Sequence, residues 1–193
     1  MTHPTTPPTD TTPDRGWSIG RIAAWSAAAL LLLIPLIGTM VSDEVDWSVG
    51  DFVFVAALLL GVGLPLDLVM RKTGSVAYRL AAALALGTAF LLIVVNGAVG
   101  IVGSEANDVN ALFYAVLGIG IVGSLVARFR PLGMARAMAA TAVAQAAVAV
   151  GALVTGAASL QTWAFEIIAL WVFVALWAGA AVLFREAARR PAV

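Results

Sequence analysis

Six apolar stretches, each long enough to cross a lipid bilayer, constrain this chain more than any other feature. They lie near 19–41, 52–70, 77–102, 111–127, 134–157 and 163–184. A hydrocarbon layer about 30 Å thick takes roughly 20 helical residues. In lipid, only helices and closed barrels satisfy the backbone, and uninterrupted apolar runs of this length mean helices. The expected fold is an all-α membrane protein, a six-transmembrane-helix bundle.

Charge sets the orientation. The eleven basic residues are Arg15, Arg21, Arg71, Lys72, Arg79, Arg128, Arg130, Arg136, Arg185, Arg189 and Arg190. All fall before or at the start of span one, in the 2–3 or 4–5 connection or the first turn of the span that follows it, or after span six. The other connections have none. By the positive-inside rule both termini are cytoplasmic. Asp43, Glu44, Asp46, Asp51, Glu105 and Asp108 lie on the opposite side, so a net charge of zero conceals a strong polarity across the membrane.

The same inventory excludes much chemistry. With no cysteine, disulfides, thiolate metal sites and cysteine nucleophiles are ruled out. The one histidine, His3, sits in the N-terminal segment, which leaves haem or zinc on imidazoles without ligands. Zero net charge gives no reason to expect nucleic acid. No cofactor is expected. GIGIVG at Gly118 fits a dinucleotide fingerprint, but it lies inside a span with no preceding strand, so the match is accidental.

The chain divides into three parts. Residues 1–18, Thr/Pro-rich and without apolar periodicity, read as a disordered cytoplasmic tail. Residues 19–185 form the six-helix domain, and 186–193 form a short basic tail. Span one lacks a basic n-region and a cleavage site, so it reads as an uncleaved anchor. GVGLPLDLVMR (Gly61–Arg71) resembles GIGIVGSLVAR (Gly118–Arg128) at an offset of 57. Either the chain holds a parallel repeat of helical hairpins, or evenly spaced spans produce the match.

Polar residues in the spans each have a structural and a functional reading. Asp67 precedes Arg71 by one turn near the cytoplasmic interface, which an ion pair explains. Glu166 lies at the outer start of span six, where a carboxylate suits a helix N-terminus. Thr88 and Gln145 lie near mid-membrane and correspond under the same offset. They are expected to hydrogen-bond between spans three and five. Span five is rich in small residues and should be central.

The least ordinary stretch is NGAVGIVGSEANDVN, Asn96–Asn110. Asn96, Gly100, Gly103 and Asn107 recur at helical spacing and predict one small polar strip where span three leaves the outer leaflet. Glu105 and Asp108 follow, and Glu166 opens span six on the same side. One reading is a divalent-cation or small polar ligand site, because hard cations want clustered oxygens. The other is tight helix packing at the glycines, with acids placed by topology and with Asp51 and Asn110 as N-caps of spans two and four.

The segments NGAVGIVGSE (Asn96–Glu105), GMARA (Gly133–Ala137) and LFREAAR (Leu183–Arg189) resemble a family of small bacterial six-span inner-membrane proteins. The resemblance covers the six spans and implies a bacterial inner-membrane location. It supplies no catalytic residue. The leading expectation is a non-enzymatic integral membrane protein that works in the bilayer through packing, self-association or a membrane-protein partner. A small transporter or channel subunit, with Asn96, Gln145 and Glu166 along a path, is the alternative. An acid–base enzyme using Glu105, Asp108 and Glu166 is the third.

Overall fold

A computed structural model describes residues 19–42, 46–104, 106–158 and 164–189. The described residues are helical, without strands, and six helices are long and apolar enough to cross a membrane. They are α1 (Ile19–Val41), α2 (Val49–Lys72), α3 (Val76–Ala98), α4 (Ala111–Val126), α5 (Pro131–Val154) and α6 (Ala164–Arg189). A single 3-10 turn, Asp108–Asn110, leads into α4. This is an all-helical, multi-pass membrane protein. The N-terminal tail 1–18 and the last residues 190–193 fall outside the described residues.

The chain forms two compact units, 1–56 and 57–193. In the first, α1 carries Pro35 inside the helix, and the Thr39 hydroxyl donates to the Pro35 carbonyl at 2.8 Å. Side chains of this kind satisfy backbone in lipid where proline interrupts the ladder. The start of α2 is a capping box. The Asp51 carboxylate accepts from the Ser48 N–H and hydroxyl, both at 2.8 Å, and the Asp51 N–H returns to Ser48 Oγ. Asp51 therefore sits in the first turn and Ser48 is the cap, which corrects the expectation that Asp51 itself is the N-cap. Trp47 packs on Phe52 with ring centroids 5.2 Å apart.

In the second unit, α6 packs along α3 and α5, and α5 packs along α4. Water drives none of this inside a bilayer, where helices associate by close packing and small residues. The α4–α5 interface shows how. A Cβ on Gly120 would lie 3.2 Å from Thr141 Oγ1, and one on Gly123 would lie 2.9 Å from the Ala137 Cβ. Of the glycines that mimic a nucleotide motif, Gly120 and Gly123 are thus packing glycines, whereas Gly118 faces open space. Between α3 and α6, Tyr78 meets Phe184 edge-on at 5.0 Å, and Phe113, Leu92, Leu170 and Phe184 are fully buried. As expected, α5 is central: it buries nine of its residues, mostly alanines.

The turns follow local chemistry. Ser75 caps α3 by accepting from the Tyr78 N–H, and Arg79 Nε donates to the Thr73 carbonyl at 2.7 Å. Arg130 is extended, as a residue before proline tends to be, and Pro131 occupies the first turn of α5, where its missing N–H costs nothing. Asp67 Oδ2 pairs with Arg71 Nε at 3.1 Å, the ion pair read from the spacing. At its C-terminal end α6 continues through Glu186 to Arg189, so the helix absorbs the first half of what the sequence suggested was a tail.

The offset of 57 is only half expressed. Thr88 and Gln145 are both fully buried at mid-helix. Yet α2 has no buried residue, whereas its counterpart α4 buries Phe113, Val116, Leu117 and Gly120. The two hairpins do not pack alike.

Candidate functional site

The stretch at the acidic end is organised by Asn110. Helix α3 stops at Ala98, and the next residues turn back under the start of α4. Ile101 and Val102 are buried although they belong to a loop, so their N–H groups must find partners inside the protein. The Asn110 side chain supplies them. Its Oδ1 accepts from Ile101 N–H at 3.1 Å and Val102 N–H at 3.0 Å. Its Nδ2 donates to the carbonyls of Val102 at 3.1 Å and Ser104 at 2.7 Å. One carboxamide thus makes four bonds to a single loop, its full ordinary capacity.

Two glycines make that loop feasible. Gly100 and Gly103 have φ of 72° and 67°, the left-handed region that only glycine enters without cost. A Cβ at Gly100 would stand 2.6 Å from the Ser104 carbonyl carbon and 2.7 Å from Asn110 Nδ2. These positions are turn glycines. The helical strip of Asn96, Gly100, Gly103 and Asn107 is therefore not formed, because helical spacing ends at Ala98. Apolar residues continued the run in sequence, but they bury beneath the loop rather than extend the helix.

Each remaining strip residue has its place. Asn96, buried on α3, donates from Nδ2 to the Asn110 carbonyl at 3.1 Å. Asn107 caps the 3-10 turn, its Oδ1 accepting from the Val109 N–H at 3.0 Å. Asp108 opens that turn and is exposed. Glu166, in the first turn of α6, accepts at Oε1 from the Gly103 N–H at 3.3 Å and so ties α6 to the loop. Glu105 lies outside the described residues. Asn110 holds the N-cap position of α4 but makes no side-chain cap bond, because its carboxamide is committed to the loop. The structure thus joins Asn96, Gly103 and Glu166 through the loop and leaves Asp108 outside. Among the described residues no three His, Asp or Glu side chains converge as a metal site would need.

The mid-membrane pair behaves differently from expectation. The Thr88 hydroxyl donates to the Leu84 carbonyl of its own helix at 2.7 Å, and Thr141 does the same to Ala137 at 2.9 Å. Such back-bonding satisfies a hydroxyl without a second helix. Gln145 is wholly buried, and neither amide atom has a partner among the described residues. The bond between Thr88 and Gln145 is not made. Asn96 Oδ1 and Trp177 Nε1 are likewise buried and unbonded.

Sequence reasoning missed Asn110 as the centre of this site and took it for a helix cap. The signal was a pair of glycines three residues apart, followed by an asparagine at a helix start, which together fit a clasped loop. Comparisons with protein-family models, with curated proteins and with solved structures find no match to this chain.

Proposed function

We propose that this chain is a non-enzymatic integral protein of a bacterial inner membrane, with both termini in the cytoplasm, that acts through contacts with other membrane components. One observation carries the reading. At the acidic end, the candidate polar groups Asn110, Asn96 and Glu166 are engaged in holding a loop: Asn110 makes four bonds to it and Asn96 and Glu166 brace it, while Asp108 stands outside. The apolar surface of α2, none of it buried, fits a role in which lipid or partner helices cover it. The distribution of Arg and Lys supports the orientation, and the resemblance to small six-span inner-membrane proteins agrees with the location.

The test is solute flux through proteoliposomes of the purified full chain. Permeability no greater than that of empty vesicles, for ions and for neutral solutes such as glycerol and urea, is the expected result. A reporter fused after Val193 should be active only in the cytoplasm.

The second reading, a small transporter or channel subunit for a neutral solute, is favoured by Gln145. An amide with a free donor and a free acceptor at mid-membrane is the kind of group that lines a path for uncharged polar solutes. Flux that Gln145→Leu abolishes would establish this reading and overturn the first.

A further inference from the structure

We infer that the basic end of the second unit is a binding site for one acidic glycerophospholipid, with its phosphate on Lys72, Arg71 and Arg130 and its acyl chains against an apolar wall. A groove of about 1240 Å³ lies there, walled by Leu64, Leu68 and Val69 of α2, by Phe129 of the α4–α5 turn and by Leu132 at the start of α5. Pockets that enclose drug-sized ligands run to roughly 1,000 Å³, so this one has room for a larger amphiphile.

Charge identifies the occupant. Arg71, Lys72 and Arg130 line the groove, and the one carboxylate among its described lining residues, Asp67, already pairs with Arg71 Nε at 3.1 Å. Two positive charges are left in excess. Lys72 and Arg130 are exposed, and basic pockets between membrane helices are where acidic headgroups bind. A free anion would leave the apolar wall wet. A second copy in the same orientation would bring the same cations and oppose like charges.

The wall is also held in place. Arg128 and Phe129 have φ of 49° and 57°, which is costly for residues other than glycine. The Tyr78 hydroxyl secures this turn by donating to the Phe129 carbonyl at 2.7 Å, and Phe129, which lines the groove, remains 57% exposed.

The test is native mass spectrometry of the full chain, titrated with phosphatidylglycerol or phosphatidylcholine. Phosphatidylglycerol should bind more tightly. Each cation removed should weaken it about fivefold, and Lys72→Gln with Arg130→Gln about 25-fold, while phosphatidylcholine binding stays unchanged. Arg136→Gln with Arg185→Gln, which neutralises basic residues that do not line the groove, should alter binding less than about twofold, well short of the per-cation effect. Glycerol 3-phosphate, a headgroup without chains, should neither bind nor raise the melting temperature. If the double variant fails to fold by circular dichroism, Lys72→Gln alone gives the fivefold arm. Equal binding of the two lipids, an equal loss in the control variant, or equal binding of glycerol 3-phosphate each overturns the proposal. The first outcome means an unselective apolar surface, the second diffuse surface charge, and the third a free-anion site.

Discussion

The side-chain amide of Asn96, on α3, donates to the backbone carbonyl of Asn110 at the foot of α4, 3.1 Å away and out of contact with solvent. This bond joins two helices at the point where the chain between them reverses. Asn110 then bonds the intervening loop with its own side chain, so one residue is gripped from α3 and itself grips the turn. A ligand site would need these groups to be free. Here they are internal fasteners.

Asn110→Ala should therefore act on stability. It leaves the buried N–H groups of Ile101 and Val102 without acceptors, each worth about 1–3 kcal/mol. A loss of about 3 kcal/mol is expected, measured by denaturant titration of the purified protein in micelles. Asn110→Asp keeps both acceptor contacts but loses the two donated bonds, so it should fall between wild type and alanine. A melting curve for Asn110→Ala that overlays wild type would remove the clasp from the account.

Gly100 and Gly97 look alike in sequence and should respond in opposite senses. Gly100→Ala forces a side chain into left-handed backbone and against Ser104 and Asn110 at 2.6–2.7 Å, an overlap that rigid backbone cannot relieve. Gly97 is helical with nothing within 4 Å of a new Cβ, so Gly97→Ala should be neutral or stabilise by up to about 1 kcal/mol. Paired thermal melts of the two variants give the answer, and equal destabilisation would restore the helical strip.

Packing between α4 and α5 makes a third contrast. Gly123→Leu must displace Ala137, whose Cβ would be 2.9 Å from the new Cβ, whereas Gly118→Ala meets nothing within 4 Å. Overpacking of this kind costs about 1–3 kcal/mol. Protease sensitivity of the α4–α5 turn in membranes should rise in Gly123→Leu and not in Gly118→Ala.

What could be read from the sequence divides along physical lines. Helix existence was legible because the bilayer demands length and apolarity, and α1 begins and ends where the apolar run does. Boundaries drifted where these two signals part. Span three looked longer than α3 because Ile101 and Val102 are apolar yet bury in a loop, while α2 and α6 outlast their apolar runs to carry Arg71, Lys72 and Arg189 toward water. The Asp67–Arg71 pair was legible because it is local to one helix turn. The Asn110 clasp was not, since it depends on left-handed φ at Gly100 and Gly103, which residue spacing cannot distinguish from helix. The Thr88–Gln145 bond failed for a related reason: a threonine in a helix can always bond its own backbone, and no sequence pattern excludes it.

Gln145 carries the last prediction. An amide wholly buried with neither atom bonded among the described residues destabilises the fold, since a buried unsatisfied polar group costs about 1–3 kcal/mol. Leucine has a similar reach and no polar atom, so Gln145→Leu should stabilise the protein, by about 1 kcal/mol or more. Gln145→Ala removes the same amide but leaves a cavity, and the two effects should nearly cancel. The measurement is unfolding in micelles, with Thr88→Val as a comparison that removes only a bond to Leu84 of the same helix. Should Gln145→Leu instead destabilise by as much as Asn110→Ala, the amide must have a partner in the working protein. A glutamine retained at mid-membrane against its own cost would then owe its place to what it binds there.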